Sequence, residues 1–194
     1  MTAESSKREQ ILAGAQNCFV NYGFKKTSMS DIARASNMSR PALYLDFENK
    51  EAIFCALVEQ LHQSTLSQAE TALKQPGKIS KRIFQAFESR MIVLFSLVIN
   101  SIHGDELTDI NSKVASEINR AAMARFTQLL AQTIEIAINQ GEIQLTNLDL
   151  SPLQAADLLV NSAHGLKEAA ISVEDLQTRL QHLLRLFAQA TAKS

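Results

Sequence analysis

Helix-breaking residues are scarce in this chain, and their positions divide it. Six glycines and three prolines stand among 194 residues, where average usage puts about twenty-three. Sandwiches and barrels need a turn roughly every 8–12 residues, and nine breakers cannot supply them. At 46% hydrophobic and 20% charged, the chain is too apolar to stay disordered. Its length allows one or two domains with a buried core. The expectation is an all-α fold of about nine helices.

The breakers fall between helical patterns. Ser6 and Glu9 have capping-box spacing, and Ile11, Leu12, Ala15, Phe19 and Tyr22 share the face of a first helix that Gly23 ends. Ser28 and Asp31 repeat the box ahead of a short helix, Met29 to Ala35. Ser39 opens another, with Arg40 and Pro41 in its first turn, where proline is tolerated. Only Ser36-Asn37-Met38 lies between the two, so they form a helix-turn-helix. Asn37 takes the place of the usual glycine, since Asn tolerates positive φ. A long helix then runs from Asn49 to about Lys74 and breaks at Pro76-Gly77. The next carries Ile79, Ile83, Phe87, Met91, Leu94, Val98 and Ile102 at spacings of three and four. From Met91 it is apolar nearly all round, which predicts a central, buried position. A short helix over Asp105 to Asn111, a longer one to Gln140 ended by Gly141, and two after Pro152 complete the chain.

A helix-turn-helix offers the N-terminal side chains of its second helix to the DNA major groove. Those positions are Ser39, Arg40, Pro41 and Ala42. Arg40 suits the two acceptors of guanine, and Ala42 or Pro41 a thymine methyl. Thr27 and Ser28, opening the preceding helix, are placed for phosphate. Ile32, Met38, Leu43 and Phe47 are expected in the core. Residues 1–50 hold seven Lys/Arg against five acids, and the rest twelve against fifteen, which leans the N-terminus towards a polyanion.

The stretch from Tyr22 to Phe54 also resembles the N-terminal domain of TetR-type transcriptional regulators. The resemblance rests on Tyr22-Gly23-Phe24, Thr27-Ser28, Asp31-Ile32-Ala33, Met38-Ser39, Leu43-Tyr44 and Phe47-x-Asn49-Lys50-Glu51. It implies DNA-backbone contacts for Tyr44 and Lys50. Thr27, Arg40, Tyr44 and Lys50 are accordingly expected on the outer face. Asp46 stands where many relatives have His or Tyr, and Glu48 follows. Two acids near phosphate predict weak non-specific DNA binding unless Lys25, Lys26 or Lys50 offsets them.

The resemblance implies a helix-turn-helix DNA-binding domain over residues 1–50 and a helical ligand-binding and dimerisation domain over 51–194. Phe84, Phe87, Met91, Phe95, Met123, Phe126 and Ile134 offer aromatic, sulfur-bearing and aliphatic surface for a ligand; plain core packing is the alternative. Few charges fall on these faces, which favours a small, mainly apolar, neutral effector, although Arg90 and Arg125 suit an anionic group. The last two helices are the dimerisation candidate, through Leu159, Ala163, Gly165 and Leu166 on one and Leu176, Leu180, Leu183 and Phe187 on the other. Close approach across a twofold axis would explain a glycine inside a helix at 165; packing of these stripes within one chain is the alternative.

No phosphate loop, zinc-protease helix or nucleophile elbow occurs, so neither an enzyme nor a cofactor is expected. His103, Asp105, Glu106 and Asp109 read as capping and solvation rather than a metal site. Cys18 and Cys55 have no metal or redox spacing and read as packed thiols of a reduced, cytoplasmic protein, with a redox sensor the alternative. No leader opens the sequence, and the most apolar stretch is about half of a ~20-residue membrane span. The expectation is a homodimeric regulator, a repressor by family habit. It binds a palindromic double-stranded DNA operator and is released by a small-molecule effector. The alternative is a helical protein-interaction module without DNA binding.

Overall fold

The computed structural model describes residues 3–192, with side chains from Lys7, and the regular structure among them is helical. The α-helices are α1 Ala3–Tyr22, α2 Met29–Ala35, α3 Arg40–Tyr44, α4 Lys50–Leu73, α5 Ile79–Phe87, α6 Val93–Ile99, α7 Gly104–Val114, α8 Ser116–Asn139, α9 Pro152–Glu168 and α10 Val173–Ala190. A π-turn, Glu88–Ile92, joins α5 to α6 without a break. The described helices therefore form nine continuous rods, in an all-α fold as expected. None is long and apolar enough to cross a membrane.

Local chemistry sets most helix ends. Ser28 Oγ accepts from Asp31 N and Asp31 Oδ2 accepts from Ser28 N, so the capping box of α2 is complete. Asn37 carries the turn at φ 52°. Ser151 and Gln154 form a second box at α9. Helix α1 starts at Ala3, so Ser6, whose side chain lies outside those described, stands inside the helix and not at its cap. Ala3 and Glu4 are good helix formers and nothing there stops the chain from winding. Helix α7 runs further than the expected Asn111, to Val114.

The chain divides into two compact units. The first is Met1–Leu61 with Leu97–Asn119. Its core holds Ile11, Phe19, Phe24, Ile32, Leu43, Phe47, Ile53 and Phe54, and Leu107 of α7 joins them. The rings of Phe19, Phe24 and Phe54 meet at centroid distances of 5.2, 5.5 and 5.6 Å, a spacing at which aromatic edges and faces attract. Gly14 lets α1 approach the end of α2: a Cβ there would collide with Ser36 Oγ. Tyr22, expected inward, is 59% exposed, because Gly23 turns the chain away directly after it. The expected boundary at residue 50 falls inside this unit, which α4 continues to Leu61 and α7 later rejoins.

The second unit is His62–Ser96 with Arg120–Ser194. Phe87, Leu130, Ile134, Ala156, Ala163, Leu176 and Leu180 form its centre. The expectation of a buried helix after Met91 needs correcting. No residue of α6 is buried, and Val93 and Ile99 are 40% and 42% exposed. An all-round apolar helix finds cover on only part of its circumference in the single chain.

Candidate nucleic-acid interface and regulatory core

Ser39 caps α3, its Oγ accepting from Ala42 N at 3.3 Å. Only Leu43 of this five-residue helix is buried, anchoring it to α2 through the core. The other positions face outward or nearly so: Ser39, Arg40, Pro41 and Tyr44 are exposed and Ala42 is half-buried. Arg40 Nη2 donates to Tyr44 Oη at 3.3 Å, one turn along, and the guanidinium lies 5.5 Å from the ring centroid. The pair presents a planar cation beside a phenol on an outer surface. Ser28 is exposed at the start of α2. Leu45 is 84% exposed beside them; no sequence signal singled it out, because one apolar residue at a helix end reads as core.

Two predicted DNA contacts are placed differently. Thr27 is not on the outer face: it is 3% exposed, and its Oγ1 donates to Gly23 O at 2.6 Å. Lys50 does not project either. Its Nζ donates to Phe24 O at 2.8 Å, Thr27 O at 3.1 Å and Lys25 O at 3.4 Å, and lies 4.4 Å from the Phe24 ring centroid. An ammonium has three donors, and all three are used. Both residues therefore brace the α1–α2 connection from inside. The carbonyls of such a loop have no helical partners, so a buried hydroxyl and an ammonium satisfy them.

Asp46 is compensated from an unexpected side. Lys7 of α1 pairs with it, and Arg8 lies 4.8 Å from the Phe47 ring centroid. The offsetting charge is thus Lys7, not Lys25, Lys26 or Lys50. Lys25 and Lys26 stay exposed. Helix α7 adds a second tie to the same loop, since Glu106 Oε1 accepts from Lys25 N at 2.5 Å. His103 Nδ1 stands 3.8 Å from Glu106 Oε2. The Asp31 carboxyl is held below its ordinary value by the Ser28 hydroxyl and N–H and by Arg34. Burial raises both cysteine thiols, and Cys55 Sγ donates to Val114 O.

In the second unit the predicted ligand positions split. Phe87, Phe126 and Ile134 are buried at 0%, 3% and 0% exposure and belong to the core. The first two meet edge to face at 5.2 Å, so they use each other as packing surface. Phe84, Met91, Phe95 and Met123 are half-buried against that core. A separate cleft of about 310 Å³ is lined by Gln68, Thr71, Ala72, Gln75, Gln85, Glu88 and Ser89. Its lining residues are mostly of polar type and include none of the predicted ones.

The dimer candidates split as well. Leu159, Ala163, Leu176 and Leu180 are buried within the chain, because these stripes belong to the core of the second unit, with α10 packed on α5 and α9. Leu166, Leu183 and Phe187 are half-buried. Gly165 is exposed, with nothing within 4 Å of a built Cβ. Leu153, Leu158 and Leu186 on these helices are 56%, 54% and 66% exposed, and the last two lie off the apolar stripes expected for the interface.

Residues 11–57 match the family described as bacterial regulatory proteins, tetR family. The chain is 28% identical over 163 residues to the HTH-type transcriptional regulator TtgR of Pseudomonas putida, covering 79% of this chain and 78% of that protein. It is 27% identical over 157 residues to the probable acrEF/envCD operon repressor of Escherichia coli, covering 76% and 70%. Among solved structures it resembles SmeT, the repressor of the Stenotrophomonas maltophilia multidrug efflux pump SmeDEF, with a TM-score of 0.70 at 22% identity over 96% and 91% of the chains. A SmeT-triclosan complex superposes with a TM-score of 0.68 at 21% identity, over 97% and 93%.

Proposed function

The chain belongs to the tetR family of bacterial regulatory proteins, and from that premise we propose a homodimeric, ligand-responsive repressor that binds a palindromic operator. A regulator of this family is not an enzyme. The observation that carries the reading is the exposed Arg40–Tyr44 pair on a capped, core-anchored α3. The first unit reads DNA through residues 1–50, and the second, His62–Ser96 with Arg120–Ser194, binds effector and partner. Arg40 takes a guanine edge, Pro41 and Ala42 meet a neighbouring base, and Ser28, Ser39 and Tyr44 meet phosphate. Thr27 and Lys50 hold these groups in place rather than touching DNA. A protein with this target works in the cytoplasm.

Dimerisation uses the outward surfaces of α9 and α10, with Leu158, Gly165 and Leu186 joined by the half-buried Leu166, Leu183 and Phe187. Two helices from each chain then form a four-helix bundle about a twofold axis, which matches a palindrome. A small, mainly apolar effector rests against Phe84, Met91, Phe95 and Met123; the SmeT-triclosan complex supports such a ligand in a similar fold. The effector tilts α4 and respaces the two heads. It must bind the DNA-incompetent state more tightly, or nothing shifts.

The test is binding of the full chain to the palindromes flanking its gene, followed by anisotropy at several salt concentrations. Salt-dependent binding lost in Arg40→Ala and Tyr44→Ala, with a dimer by sedimentation, is the expected result. Binding that both variants retain, or a monomer on DNA, would overturn the reading. An inducer that releases DNA by splitting the dimer would remove the tilt.

A further inference from the structure

Arg90 stands on the π-turn of the second unit and is 8% exposed. A buried guanidinium is costly unless an opposite charge or a full set of acceptors compensates it. Here the compensation is partial. Nη1 donates to His62 Nδ1 at 2.8 Å and to Thr65 Oγ1 at 3.2 Å. The guanidinium carbon lies 5.9 Å from the Phe126 ring centroid. Neither partner is a carboxylate, and Thr65 is 2% exposed with its Oγ1 3.2 Å from His62 O. Among the described residues no carboxylate pairs with Arg90; its Nε and Nη2 bond no protein group and are not among the buried atoms left without a partner, so this edge of the guanidinium opens towards solvent. Burial pulls the group down to about 10, so it keeps its charge at neutral pH.

The surroundings differ from those of an ordinary structural ion pair. Half-buried Phe84, Met91 and Met123 belong to the same apolar assembly as Phe126. The residue is carried by a π-turn, a departure from α geometry that recurs at functional positions. A guanidinium edge with two unused donors matches the two oxygens of a carboxylate.

We propose that the second unit binds a small organic carboxylate, whose charged end pairs with the Nε/Nη2 edge of Arg90 and whose apolar body lies on the Phe and Met side chains. This rests on the reading of that unit as the effector domain, and it replaces a neutral effector with an anionic one. Arg90 is then the specificity-determining residue, with His62 and Thr65 as positioning residues.

The experiment is calorimetric titration of the full chain with benzoate, 1-naphthoate and decanoate, each against its own amide. At least one acid should bind tenfold or more tighter than its amide. Arg90→Met should remove that preference, lowering acid affinity at least tenfold while leaving amide affinity within twofold. Arg90→Lys should retain part of it. Amides that bind the wild type as well as acids, or acids indifferent to Arg90→Met, overturn the inference and leave a neutral effector standing. Binding by neither set overturns it together with the effector reading. Should Arg90→Met fail to fold by circular dichroism, the wild-type acid-to-amide ratio decides alone.

Discussion

Arg40 and Lys50 carry the same charge, and their surroundings give them opposite tasks. Arg40 is exposed and, among the described residues, bonds to Tyr44 alone, so Arg40→Ala should leave the urea midpoint unchanged and cost about 1–3 kcal/mol of operator binding. Lys50 satisfies three loop carbonyls. Lys50→Met should destabilise the fold by roughly 1–3 kcal/mol and weaken DNA binding only through the loop, visible as a lower urea midpoint. The two interior glycines separate in the same way. Gly14→Ala drives a methyl group into buried Ser36 and should cost about 1–3 kcal/mol. Gly165→Ala meets open space and should gain up to about 1 kcal/mol of helix propensity. Thermal melts check both, and Gly165→Leu, read by sedimentation, checks whether a second copy closes over that space.

At the scale of elements, the caps are the dependable features. Ser28→Ala removes the N-cap of a seven-residue helix and should cost about 1 kcal/mol. Asp31, the other half of the box, has a lowered pKa. Its contribution is therefore complete above the ordinary carboxylate value of 3.8 and is lost as pH falls through the lower folded value. Melts at pH 3 and pH 5 should show a smaller acid loss in Asp31→Asn than in the wild type. The boxes at Ser28 and the turn at Asn37 were legible in the sequence because donor and acceptor lie within three residues. Thr27 and Lys50 were not, since their acceptors are main-chain carbonyls that every residue carries. The stripe from Ile79 to Ile102 was legible only halfway. Ile79, Ile83 and Phe87 are buried, whereas Met91, Leu94 and Val98 are only half-buried, and Ile102 lies past the end of α6 in the turn before α7. The π-turn inserts a residue, and one residue is about 100° of helix. Spacings of three and four therefore stop tracking one face at Glu88.

For the whole molecule, the composite first unit matters most. Its core is closed by Leu107 of α7, with Ile110 and Val114 packed beside it, and α7 also holds Lys25 through Glu106. A fragment ending at Leu61 should melt well below the full chain and bind DNA weakly, as calorimetry and anisotropy on the two would show. This arrangement has a consequence during synthesis. Domains fold roughly as they emerge, at about 5–20 residues per second, but here residues 62–96 must be made before α7 can arrive. For that interval the nascent head presents an apolar wall with no lid. A chain terminated early in that interval should be cleaved by protease faster than the full chain.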